Sequence, residues 1–111
     1  MEALIKQLHG ELGQIAIEYL VFQKRDNVKR IEKVMPQIQE FVLWFLDSNQ
    51  FGISQELYQG LCNTLLEILN DIVEAIQQKD YVLMHDAAAY GLMEYMEMFM
   101  GNKEDSADDD I

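Results

Sequence analysis

"KDYVLMHDAAAYGLMEYMEMFM", Lys79 to Met100, holds five of the chain's seven methionines and three of its five tyrosines. It is a membrane span, the core face of a helix, or a surface that grips another protein, and the choice decides the fold. A span needs about 20 nearly uncharged residues. Asp86, Glu94 and Glu97 interrupt this stretch, and its longest run without charge or histidine is Ala87 to Met93. The membrane reading fails. At about 100° per residue, Tyr81, Ala88, Leu92, Tyr95 and Phe99 fall in one direction. Met84 lies on one flank; Val82, His85, Ala89, Met93, Met96 and Met100 spread over the other. Asp86, Glu94 and Glu97 face away, with Leu83 and Tyr90 among them. The apolar arc covers roughly 200°, whereas a surface helix needs little over 100°.

Two readings of the surplus follow. The helix is the most buried of the chain, or Met93, Met96, Met98, Phe99 and Met100 form an intermolecular surface. Methionine is flexible and polarisable and suits surfaces that accept varied partners. Asp86 and Tyr90 are four apart, hence neighbours on the polar face, and are secondary contact candidates.

The rest of the chain repeats the helical period. Ile5, Leu8, Leu12, Ile15, Tyr19 and Phe22 alternate steps of three and four, with Leu4, Ala16 and Leu20 widening the seam. Gly10 and Gly13 weaken that helix by about 1 kcal/mol each relative to Ala, which suggests a close approach of a neighbouring backbone. Asp26 or Asn27 is suited to cap a second helix. Its seam, Val28, Ile31, Met35, Ile38, Val42 and Phe45, crosses Pro36 without a change of phase, so one kinked helix is predicted. "DSNQFGIS", Asp47 to Ser54, reads as a loop with Ser54 as the next N-cap. The third helix carries Tyr58, Leu61, Leu65, Ile68, Ile72 and Ile76, with Leu57, Cys62, Leu69 and Val73 alongside. "QQKD" closes it, and Asp80 caps the fourth in an antiparallel hairpin. Gly101 reads as a helix stop. Five carboxylates between Glu104 and Ile111 give a tail with nothing to bury.

The expectation is an all-α, four-helix up-down-up-down bundle, kinked near Pro36, with one domain over residues 1–100 and a disordered acidic tail over 101–111. Few glycines and one proline among 111 residues, half of them hydrophobic, fit that class.

Charge narrows the function. Residues 1–33 sum to +1 and residues 34–111 to −13, which together make the net −12. A chain this acidic is a poor nucleic-acid binder and is repelled by anionic membranes. Lys24, Arg25, Lys29, Arg30 and Lys33 read as bracketing a helix junction. The N-terminus lacks the form of a signal peptide, and Cys62, the only cysteine, excludes an intrachain disulfide. Both fit the cytoplasm.

No chemistry emerges from the motifs. A di-metal bundle needs Glu-x-x-His pairs, but Lys6 and Val82 stand three before His9 and His85. Cys62 reads as a core thiol without a basic partner nearby in sequence. "HGELG" lies inside a helix, without the strand that precedes a phosphate loop. No cofactor is expected and no enzyme.

"DYVLMHDAAAYGLMEYM" resembles a pattern of small all-helical proteins of Gram-positive bacteria that carry no assigned activity. Asp80, Tyr81, Val82, Leu83, Asp86 and Tyr90 match it, and "MPQIQEFVLWFLD", with Trp44 near its end, is similar to that family's second helix. The resemblance covers residues 34–100, departs at Ala87, Ala88, Ala89 and Gly91, and implies the fold rather than a role. Size, charge and helix count are also similar to flagellar export chaperones, at the level of fold alone.

The leading expectation is a non-enzymatic helical module for protein–protein interaction, forming a homodimer or binding another helical protein. A chaperone or adaptor for a helical client is one alternative. A small-ligand or enzymatic bundle with a site assembled from His9, His85 or Cys62 is another.

Overall fold

In the computed structural model, which describes residues 1–100, the first apolar seam becomes α1 (Glu2–Phe22). It buries Ile5, Leu8, Leu12 and Ile15. The last seam positions leave the core: Tyr19 is half-buried and Phe22 exposed. Gln23 ends the helix in the left-handed region at φ 55°, where its N–H returns to the Glu18 carbonyl.

Two helices follow where one kinked helix was predicted. α2 (Asn27–Lys33) and α3 (Met35–Asp47) are separated by Val34, at φ −102° and ψ 12°. Pro36 falls in the first turn of α3. There its missing N–H costs nothing, whereas in a continuous helix it would lose a bond to Glu32 and crowd that carbonyl. The seam keeps its phase: Val28, Ile31, Ile38, Val42 and Phe45 are all buried.

Asn49 ties the following loop by accepting from the Ile53 N–H at 3.3 Å and donating back to the Ile53 carbonyl. Gly52 turns it at φ 67°. α4 (Gln55–Gln78) starts at Ser54, whose hydroxyl accepts from the Leu57 N–H at 3.2 Å. Lys79 ends it at φ 55°, and Asp80 accepts from the Leu83 N–H at 3.0 Å to start α5 (Tyr81–Ala87). Ser54 and Asp80 thus cap as predicted. Asp26 precedes α2 without a side-chain cap, and the Asn27 amide donates to the Tyr81 carbonyl at 2.9 Å.

The last helix is continuous in direction but not in type. A π-helical turn, Ala88–Leu92, joins α5 to α6 (Met93–Glu97). It holds the small residues Ala88, Ala89 and Gly91, and Ala87 ends α5 just before it. A Cβ on Gly91 would lie 3.2 Å from three side-chain atoms of Ile68, so α4 packs close against this turn. Gly10 and Gly13 do not mark such an approach. Gly10 faces open space, and Gly13 meets only the Met93 methyl, at 3.6 Å.

All described residues outside turns and loops are helical; there is no strand among them. The α5–α6 rod touches α1 and α4, α2 packs on α5, and α3 touches α1 and α4. His9 meets Glu97, Tyr19 meets His85, and Arg25 meets Tyr81, so α1 runs antiparallel to that rod. The described residues fill a slab of 37 × 36 × 20 Å. α4 alone spans about 36 Å, so the slab is broader than four aligned rods. The acidic tail and the Gly101 stop lie outside the described residues.

Candidate functional site

The residues proposed as a surface separate into different environments. Met96 is fully buried and belongs to the core. Met93 is half-buried against α1 at Gly13. Phe99 is half-buried in an aromatic cluster, 4.7 Å from Phe51 and 4.9 Å from Trp44 between ring centroids, with Phe41 and Phe45 beneath. Met100 is half-buried and, with Met1, Ile5, Trp44 and Phe99, lines a pocket of about 210 Å³. Met98 alone of the five is exposed. The surplus apolar arc is mostly covered because this rod has α1, α2 and α4 around it.

Asp86 and Tyr90 are both exposed. Tyr90 presents its ring to the edge of His85 at 5.4 Å, and His85 stacks on Tyr19 at 4.7 Å. His85 is buried, and its Nε2 has no hydrogen-bond partner among the described residues.

Among the exposed large apolar side chains, which also include Leu43, Leu57 and Val82, four fall on the C-terminal end of α1. Ile17 is 52% exposed, Leu20 57%, Val21 64% and Phe22 67%. Ile17, Leu20 and Val21 stand at i, i+3 and i+4, which puts them on one stripe, opposite the buried seam. Tyr90 lies at the same end of the molecule through its contact with His85 and Tyr19. The sequence signal was the second set of apolar residues on α1. Leu20 was assigned to a widened core seam, whereas it faces outward.

Beyond the stripe the chain turns through a charged junction. Glu18 accepts from Gln14 at 2.6 Å and from Arg30, and Lys24 lies 3.4 Å away. The Gln14 hydrogen bond, then Arg30, lowers its carboxyl pKa from 4.5 to about 2. Arg25 donates to the Tyr81 hydroxyl at 2.9 Å, with its guanidinium 4.7 Å from that ring's centre. The basic cluster therefore ties α1, α2 and α5 together at this end.

Tyr58 donates to the Phe45 carbonyl at 2.7 Å and Tyr95 to the Leu61 carbonyl at 2.9 Å. Burial pushes the Tyr58 phenol up to about 12 and raises that of Tyr95. Both phenols are structural donors between helices. His9 bonds Glu97 at 3.0 Å, His85 sits between tyrosines, and Cys62 is buried on α4, so the three have different neighbours. Among the described residues no three His, Cys, Asp or Glu are placed to hold a metal ion, and no described helix is long and apolar enough to cross a membrane. No family model, curated protein or solved structure matches this chain.

Proposed function

We propose that this protein is a non-enzymatic helical module of the bacterial cytoplasm whose activity is protein–protein interaction, with a second copy of itself as partner. In this reading α1, α2–α3, α4 and α5–α6 are the four rods of an up-down-up-down bundle, splayed so that it is broader than four aligned rods. The outward stripe of α1 is the docking surface. One observation carries the reading: Ile17, Leu20 and Val21 of the α1 stripe, and Phe22 at the end of the helix, are each more than half exposed. Scattered apolar residues on a surface need no explanation, but a contiguous patch marks an interaction site. A two-fold dimer lets one stripe serve both partners, since the same patch meets itself. Met98 and Tyr90, exposed on the last helix, are further contact candidates.

Light scattering across a dilution series tests this. The native chain should show twice the monomer mass, and Leu20→Glu or Val21→Glu should give a monomer of unchanged helicity. A native chain that stays monomeric at all concentrations would refute self-association and leave the stripe to a different helical protein.

A further inference from the structure

We propose that a basic groove at the α1–α2 end of the molecule receives the acidic segment Glu104–Asp110 of a second copy. The groove has a volume of about 380 Å³. Its cations are Arg25, Lys29 and Lys79, and its floor is Val28, Ile76 and Tyr81. Asp26 and Glu32 also line it, but Asp26 lies 4.0 Å from Arg30. Arg25 is held in place by the Tyr81 ring and hydroxyl. Lys29 and Lys79 form no ion pair among the described residues.

Charge identifies the occupant. Three of the eight basic residues, Arg25, Lys29 and Lys79, line this groove against two carboxylates, and Lys24, Arg30 and Lys33 are their near neighbours in sequence, on a chain of net charge −12. The densest acidic run in the same sequence is "EDSADDD", Glu104 to Asp110. Salt screens beyond about 10 Å at 0.1 M, so a docked segment feels these three cations and the two lining carboxylates, a local sum of +1, more than the distant carboxylates of the bundle. Ala107 and Ile111 suit the apolar floor.

Reach identifies which copy supplies it. Met100 lies beside Met1 and Ile5, at the start of α1. The groove lies past the other end of that helix, about 31 Å away. The carboxylates from Glu104 to Asp110 stand four to ten residues beyond Met100, a span of at most roughly 14 to 36 Å fully extended. A chain's own segment would have to be taut to bring even its last carboxylate there, whereas a second copy can present the whole run.

The inference rests on self-association but not on the α1 stripe. The test mixes equal amounts of ¹⁴N- and ¹⁵N-labelled full-length chain. Lysines are joined to carboxylates by a zero-length carbodiimide, and the linked peptides are read by mass spectrometry. Links from Lys29 or Lys79 to residues 104–110 should join light to heavy chain and fall about tenfold or more between roughly 0.1 and 0.5 M salt. Links confined to one isotope, or none from these lysines, would overturn the proposal. The same experiment on Leu20→Glu separates the two surfaces. A native dimer without mixed links that becomes a monomer on Leu20→Glu removes the groove and keeps the stripe. Mixed links that persist in a Leu20→Glu dimer remove the stripe and keep the groove.

Discussion

Met96 and Met98 are two residues apart and have opposite surroundings, one fully buried and one exposed. Truncating the first leaves a cavity between packed helices. Met96→Ala should cost about 2–5 kcal/mol, whereas Met98→Ala should change stability by less than about 0.5 kcal/mol, both read from urea midpoints. Glu18 makes a second residue-scale prediction. Its folded-state pKa, about 2, lies below the unfolded value near 4.5. Its stabilisation is therefore fully present above about pH 4.5 and disappears as pH falls toward 2. Glu18→Gln should be less stable than the native chain at neutral pH, and the gap should close in urea titrations across that window. At this scale the sequence was readable where a side chain acts on its own backbone, as at Ser54 and Asp80. It was not readable where partners come from far along the chain, as for His85 between Tyr19 and Tyr90.

The helices end where local chemistry ends them. Asp80 bonds the Leu83 N–H at the two-residue turn between α4 and α5. Asp80→Ala should therefore destabilise the protein by about 1 kcal/mol, lowering the thermal midpoint by several degrees. Two glycines separate helix propensity from packing. Gly10→Ala meets open space and should stabilise by about 0.5–1 kcal/mol. Gly91→Ala sets a methyl 3.2 Å from three atoms of Ile68, so the same helical gain should be cancelled or reversed by overpacking; paired calorimetric scans would show the contrast. The sequence pattern gave the helices and the phase of their seams, because periodicity survives a break. It concealed the break at Val34, since the apolar positions either side of Pro36 stay in phase. It also concealed the π turn, which leaves no mark in a wheel drawn at constant angle.

For the whole molecule, an apolar face read from sequence is not yet an exposed one. The last helix carried the widest apolar arc and is largely covered, because other helices surround it. α1 carried a narrower excess, and there Ile17, Leu20, Val21 and Phe22 have no covering element among the described residues. Which excess finds a partner depends on packing order, and no single helix encodes that. Under the proposed self-association Leu20→Glu should halve the solution mass, while Phe99→Glu, which places a charge among Trp44, Phe45 and Phe51, should lower helicity and thermal stability instead.

Trp44 is the chain's only tryptophan, and it sits 4.9 Å from Phe99 beside the Met100 pocket. Its ultraviolet emission is thus a local lamp at the point where α6 gives way to the last residues of the chain. Loosening of that corner would redden the emission while circular dichroism at 222 nm stayed constant, so the two signals need not melt together. A fluorescence titration of this protein reports that corner, and circular dichroism reports the helical slab.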